Sequence, residues 1–221
     1  MKGIFITGTD TGIGKTYFSL ACINALQQAG IKTIAMKPVA SGAELVDGQL
    51  RNEDALLIQQ ALNHAVDYDL INPYAFAPSV SPHIAAAEAG VEIDLQLIQK
   101  KYQQLSKGAE FAIVEGVGGW LAPLSTNLTV ADMAKAIGLP VVMVVGIRLG
   151  CLNHAMLTAQ AIVQSGLNLA GWVANDIEAE LESADEQVDY LSRSLGMAPL
   201  VRLVWGQASP LCADDLINLT G

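Results

Sequence analysis

Short apolar runs alternate along the chain with segments of helical periodicity. The runs "GIFITG" (3–8), "KTIAMKPV" (32–39), "FAIVEG" (111–116), "PVVMVVG" (140–146) and "LAGWVAN" (169–175) read as buried strands. Between most of them lie helix-like stretches. Leu95, Ile98, Tyr102 and Leu105 follow a 3-4-3 spacing after Asp94, a good N-cap residue, with Gly108 as a stop; 131–137 halts at Gly138, and Pro140 begins the next strand. This alternation predicts an α/β fold, a parallel sheet covered by helices on both faces. The polar, glycine-containing stretch 40–51 and the proline-rich stretch 71–82 read as loops.

The chain has 221 residues, 52% hydrophobic and 15% charged, enough for one large domain spanning 1–221. No apolar run is long enough to cross a bilayer, and the first residues lack the features of a signal peptide, so a cytoplasmic protein is expected. A net charge of −10 argues against nucleic acid or an anionic membrane as partner. Cys22, Cys151 and Cys212 form no C-x-x-C pair and are expected as small buried residues rather than disulfides.

The first apolar run leads into "TDTGIGKT" (9–16) and then a helical pattern. A glycine-rich turn between strand and helix points backbone N–H groups at an anion, and the helix N-terminus adds positive potential. Lys15 would reach terminal phosphates and Thr16 would ligate magnesium, which is the arrangement of a P-loop NTPase. The spacing departs from G-x-x-x-x-G-K-[ST]: five residues separate Gly8 from Gly14, and Thr9 stands at the first glycine's place. In a parallel sheet, Lys37, Glu115, Gly146 and Asn175 would share the carboxyl rim with this loop, where open α/β sheets bind ligands. Glu115 could hold magnesium there, or simply cap a turn; Lys37 could meet a ligand or snorkel to solvent.

The loop, with "KPVASG", "RNEDA", "NPYAFA", "SPHIAA", "VEGVGGWLAPL", "LGCLNHAMLTAQAI" and "GWVAND" in order, resembles the dethiobiotin synthase family over most of the chain. That resemblance implies an enzyme of biotin synthesis that joins 7,8-diaminopelargonate and CO2, using ATP and Mg2+, into the ureido ring of dethiobiotin. A carbamate and its mixed anhydride with phosphate would be the intermediates, and the protein would be a homodimer with small molecules as its other partners. It implies Lys37, Lys15 and Thr11 as catalytic groups and Thr16, Asp54 and Glu115 as the magnesium shell. ATP would touch Gly12, Ile13, Gly14, Lys15, Thr16 and Tyr17, then Asp54, Glu115, Gly116, Val117 and Gly118. Asn175 would donate to and accept from the adenine edge, with Asp176, Leu203, Val204 and Trp205 completing the base pocket. Ser41 would meet the diamine, and the N–H groups of Gly150, Cys151, Leu152 and Asn153 at a helix start would receive the substrate carboxylate.

Two features depart from the family. Where a Gly-x-Ile-Pro type of strand end is expected, the chain reads "APLVRLVWGQASP", and the acidic segment "EAELESADEQVDYLSRSL" leaves only Gln187 or Tyr190 to reach across a dimer. His83 and His154 belong to no triad or metal spacing and are read as structural. A switch ATPase of the chromosome-partitioning or septum-positioning type would share the fold, but Asp10, with no lysine before Lys15, counts against it. An amidotransferase synthetase would need a glutaminase domain for which the chain has no room.

Overall fold

Strand β1 (Lys2–Gly8) shows how the sheet is built: Ile4 and Ile6 point to one face and Phe5 to the other, and all three are fully buried. A strand buried on both sides needs helices on both sides. In the computed structural model, which describes residues 1–178, 181–204, 207 and 209–220, that is what the rest of the chain supplies.

Five further strands join β1 in one sheet: β2 (Thr33–Met36), β7 (Phe111–Glu115), β8 (Val141–Ile147), β9 (Leu169–Asp176) and β10 (Arg202–Leu203), in the order β10-β9-β8-β1-β7-β2. Every pairing is parallel. Helices α1 (Lys15–Gln28), α2 (Glu53–Ala61) and α9 (Ala213–Asn218) cover the Ile4/Ile6 face through Phe18, Ile23, Ile58 and Leu216. The Phe5 face is closed by α4 (Pro82–Glu88), α5 (Leu95–Leu105), α6 (Val130–Ile137), α7 (Cys151–Gln164) and α8 (Ala184–Leu195), through residues such as Ile98, Met133, Ile162 and Leu191. The predicted caps are in place: Asp94 accepts from the Gln96 N–H at 2.7 Å, and Gly138 ends α6 with φ 76°.

Four expectations need correction. The run 32–39 is not one strand: β2 stops at Met36, and Val39 opens β3 (Val39–Ser41), which pairs with β6 (Tyr74–Phe76) in a separate two-stranded sheet. Pro38 lacks an N–H for a ladder, and the Lys37 N–H instead bonds to the carbonyl of Ile71, the last residue of α3 (Tyr68–Ile71). Accordingly, 71–82 holds a strand as well as loop. Nor is 40–51 plain loop: β4 (Glu44–Val46) and β5 (Gln49–Arg51) form a hairpin around Asp47 and Gly48, both with positive φ, the backbone a two-residue turn demands. Finally, Cys22 and Cys151 are buried free thiols, but Cys212 is exposed, at the N-cap of α9 where its N–H bonds to Asp215.

Candidate active site

The carboxyl ends of β1, β2, β7 and β9 form one rim, and the predicted residues meet there. The loop after β1 closes on Gly14, the N-cap of α1, in the left-handed conformation at φ 92°. Lys15 begins the helix, buried, and its ammonium donates to the Asp10 carbonyl at 2.6 Å, inside the turn the loop makes. Burial, reinforced by the neighbouring charge of Lys37, lowers the Lys15 pKa to about 8. A cation so poorly solvated gains much from an incoming anion.

Behind it lies a buried polar cluster. Glu115, at the end of β7, is fully buried and accepts from Thr16 Oγ1 at 2.8 Å, Ser19 Oγ at 2.7 Å and Lys37 Nζ at 2.5 Å. Lys37 Nζ also sits 2.8 Å from Asp54 Oδ2. Burial alone would depress the Lys37 pKa, but Glu115 and Asp54 override it and hold the ammonium above its ordinary value. Burial likewise opposes ionisation of Asp54, and Lys37 outweighs it, keeping that carboxyl below its usual range. One ammonium thus bridges two carboxylates, so Lys37 does not snorkel to solvent. Asp54 lies in the first turn of α2, where a dipole alone could explain it, yet its side chain turns into the cluster.

The geometry also shows residues missed in the sequence. Tyr68 is the hub of a buried network: its hydroxyl accepts from the Asn52 N–H at 2.7 Å and donates to Asn72 Oδ1 at 2.9 Å, and Asn72 Nδ2 donates to the Lys37 carbonyl at 2.7 Å. It ties the start of α2, carrying Asp54, to the backbone of Lys37. Asn52, Tyr68 and Asn72 are ordinary in sequence, and only their burial together marks them. Ser19 follows Thr16 by three residues on α1, a spacing that puts both hydroxyls on one face. At the rim, Arg148 pairs with Asp10 at 2.6 Å.

Two cavities meet at the loop and share Gly12 and Gly14 as lining. The first, about 590 Å³, is polar and lined by Thr11, Lys15, Thr16, Lys37, Ser41, Asp54, Glu115, Val117 and Gly118, together with Asn52, Ser79 and Ser81. Ser41 is among the lining residues, and its hydroxyl oxygen is itself buried with no partner among the described residues. The second cavity, about 540 Å³, is lined by Tyr17, Asn175, Asp176, Ile177, Val204 and Gln207. Asn175 donates from Nδ2 to the Ile13 carbonyl at 2.7 Å, so one of its donors is committed to the loop, and Oδ1 lies on the side away from Gly14.

Other predicted residues lie elsewhere. The Ile13 side chain is in the core, and Gly116 packs beneath the rim against Val130 and Phe5. Leu203 is buried on the α1 face of the sheet, and Trp205 lies outside the described residues. Gly150, Cys151, Leu152 and Asn153 do form a helix start, with Gly150 as the N-cap of α7, but they line neither cavity of their own chain. Gln187 does not reach outward: it is buried and accepts from Cys151 Sγ at 2.8 Å, whereas Tyr190 is exposed. His83 and His154 line neither cavity.

The site's donor set suits Mg2+, a hard ion that takes one or two carboxylates and fills its shell with water and phosphate oxygens. Two carboxylates and a hydroxyl converge here, and the Lys37 ammonium between the carboxylates marks a place where positive charge is stabilised. Among the described residues no group of three His, Cys, Asp or Glu side chains forms a metal cage.

A family profile described as an AAA domain matches residues 2–205. The chain is 48% identical over 210 residues to the ATP-dependent dethiobiotin synthetase BioD of Xanthomonas euvesicatoria pv. vesicatoria (strain 85-10), covering 95% of this chain and 94% of that one. It is 47% identical over 201 residues to the protein of the same description from Pseudescherichia vulneris, covering 91% and 84%. Among solved structures, the MinD cell division protein of Aquifex aeolicus aligns with all of this chain and 86% of its own at TM-score 0.57 and 16% identity. Chloroplast FtsY from Physcomitrella patens aligns with 99% and 64% at TM-score 0.55 and 14% identity. These two likenesses concern the fold alone.

Proposed function

The chain belongs to the ATP-dependent dethiobiotin synthetase family, a family of ATP-dependent ligases, and on that premise we propose that it closes the ureido ring of dethiobiotin from 7,8-diaminopelargonate, CO2 and ATP, the penultimate step of biotin synthesis. The observation that carries the reading is the pair of cavities meeting at Gly12 and Gly14, one polar with two buried lysines, the other bounded by Asn175 and Tyr17. A nucleotide lying across the loop would place its base in the second cavity and its terminal phosphate in the first, beside the diamine.

One amine of the substrate adds to CO2, losing a proton to give a carbamate. A carbamate oxygen then attacks the γ-phosphorus, and the bond to ADP breaks. The second amine attacks the carbonyl carbon of the mixed anhydride, inorganic phosphate leaves with the bonding pair, and the ring is closed. Carbamate and triphosphate repel one another, so the residues must hold negative charge close to negative charge. Lys15 and Lys37 supply fixed ammonium groups at that junction, Thr11 a hydroxyl donor, and Ser41 an unpartnered hydroxyl for the diamine. Thr16, Asp54 and Glu115 would hold Mg2+, which would screen the phosphate oxygens when bound. The buried Tyr68 network keeps Lys37 and Asp54 in register, and placement to within about 1 Å is worth on the order of a hundredfold in rate.

Among the described residues, the first cavity offers the carboxylate end of the diamine no cation beyond Lys15 and Lys37. The start of α7 lies outside that cavity, and on the family premise we take the protein to be a homodimer in which each subunit presents its Gly150 to Asn153 N–H groups to its partner's substrate. We place the reaction in the cytoplasm; among the described residues no helix is long and apolar enough to cross a membrane.

The test is phosphate release from Mg-ATP, with and without diamine and bicarbonate, with mass detection of product. Release that needs both additions and yields dethiobiotin is expected. Steady release indifferent to the diamine would replace this reading with a switch ATPase. Glu115→Gln is expected to raise the magnesium concentration for half-maximal rate about tenfold, the weight of roughly one charge-assisted contact. An unaltered magnesium titration would remove Glu115 from the metal shell.

A further inference from the structure

The excursion 42–51 leaves the first cavity at Ser41 and returns to it at Asn52, and both residues line that cavity. Between them the hairpin of β4 and β5 stands in solvent, with every residue of β4 exposed, and its ladder ends at the pair Glu44 and Arg51. One step below, Asn52 closes the neck: its Nδ2 donates to the Ser41 carbonyl at 3.2 Å. Its Oδ1 accepts the Ala55 N–H at 3.3 Å, capping α2, and its own N–H donates to the Tyr68 hydroxyl at 2.7 Å. This orientation of the amide sets donor against acceptor at both ends.

Capping alone does not call for asparagine. Serine and aspartate cap a helix about as well, but serine is too short for the Ser41 carbonyl and aspartate has no donor for it. Each root of the excursion is anchored without this bond. Ser41 lies on β3, paired with β6, and the Gly42 and Ala43 N–H groups donate to the Pro78 and Phe76 carbonyls. The start of α2 is held by Tyr68, and its Asp54 by Lys37. What the Asn52 amide adds is the spacing between two bodies, the Ser41 edge and the Asp54 arm.

We propose that Asn52 is a positioning residue that commits the mixed anhydride to ring closure. The inference rests on the proposed function and deepens it: there Ser41 meets the diamine, and Asp54 belongs to the shell that holds the phosphates. Two nucleophiles can attack the anhydride carbon. The second amine closes the ring and expels phosphate. Water expels the same phosphate with its bonding pair and, losing a proton, returns the carbamate, so that ATP is consumed and no dethiobiotin appears. Water needs no placement, whereas the amine must be held against the carbon. Loosening the spacing slows one route and spares the other.

Counting phosphate and dethiobiotin together, from Mg-ATP, diamine and bicarbonate, tests it. Phosphate released per dethiobiotin should rise from about one in the parent protein to about two or more in Asn52→Ser, because a displacement of about 1 Å slows a placed nucleophile on the order of a hundredfold. Calorimetric ADP affinity should be kept. Asn52→Asp preserves size and cap but sets a carboxylate oxygen against the Ser41 carbonyl, and it should show the same rise. Tyr68→Phe leaves the Asn52 amide and its bond to Ser41 in place, so it should lower phosphate and dethiobiotin together. A merely structural role would reduce the amount of active protein and move both products in proportion. A ratio near that of the parent in both Asn52 variants, or an equal rise in Tyr68→Phe, overturns the proposal and leaves Asn52 a helix cap. Those outcomes with a parent protein that makes dethiobiotin sink only this inference; a parent that makes none sinks the proposed function as well.

Discussion

Lys37→Met is expected to cut dethiobiotin formation on the order of a thousandfold while ADP binding changes no more than a few-fold. The reasoning starts from the buried cluster. Lys37 Nζ lies within 2.8 Å of both Glu115 and Asp54, and it lines the polar cavity in which carbamate and γ-phosphate would meet. In phosphoryl transfer, a fixed cation at the developing charge is worth about 10³-fold or more. The loop, Lys15 and the second cavity carry the nucleotide without it. The same change leaves the fully buried Glu115 carboxylate with only Thr16 and Ser19 as side-chain donors among the described residues, and breaking a buried ion pair from one side costs about 3–5 kcal/mol. In a chain of this size each kcal/mol is about 2–4 °C, so the variant should melt several degrees lower, and added magnesium should recover part of that loss by binding the freed carboxylates. Steady-state kinetics, calorimetry with ADP, and melting with and without magnesium measure the three effects. Turnover within threefold of the parent protein would strip Lys37 of its catalytic part.

The strands were legible because β1, β7, β8 and β9 are buried on both faces and so are written as unbroken apolar runs. Lys37, Glu115 and Asn175 were legible by the same logic, as polar residues closing such runs. The run 32–39 misled because periodicity does not see a missing N–H: Pro38 ends the ladder while Val39 keeps the pattern apolar. The hairpin 44–51 carried a local signal, Asp47-Gly48 after the apolar Leu45-Val46 pair, which the surrounding polar residues obscured. The Tyr68 network was out of reach for another reason. Hydrogen bonds from Asn52 to Tyr68 and from Asn72 to Lys37 span 16 and 35 positions, and no spacing rule encodes them. Gln187 shows the converse: a polar residue on an acidic helix reads as exposed, but burial against Cys151 turns it inward.

Gly14→Ala should weaken ADP on the order of a hundredfold, and Gly12→Ala much less, although both glycines have positive φ. At Gly12, φ is 72° and a Cβ would meet no protein atom within 4 Å, so within the protein only the backbone cost of about 1–2 kcal/mol arises. At Gly14, φ is 92° and a Cβ would stand 2.2 Å from Asn175 Nδ2. One of the two must move. If Asn175 rotates away, its hydrogen bond to the Ile13 carbonyl is lost and Oδ1 leaves its place in the base cavity. If the loop moves instead, the N–H groups ahead of α1 shift against the phosphates, and displacements of about 1 Å in such a cradle cost on the order of a hundredfold. Either route injures binding, whereas Gly12→Ala opens neither. Calorimetry on the two variants, with melting curves to show that both remain folded, separates the causes. Equal losses would mean that backbone strain alone governs the loop and that Asn175 takes no part in holding the nucleotide.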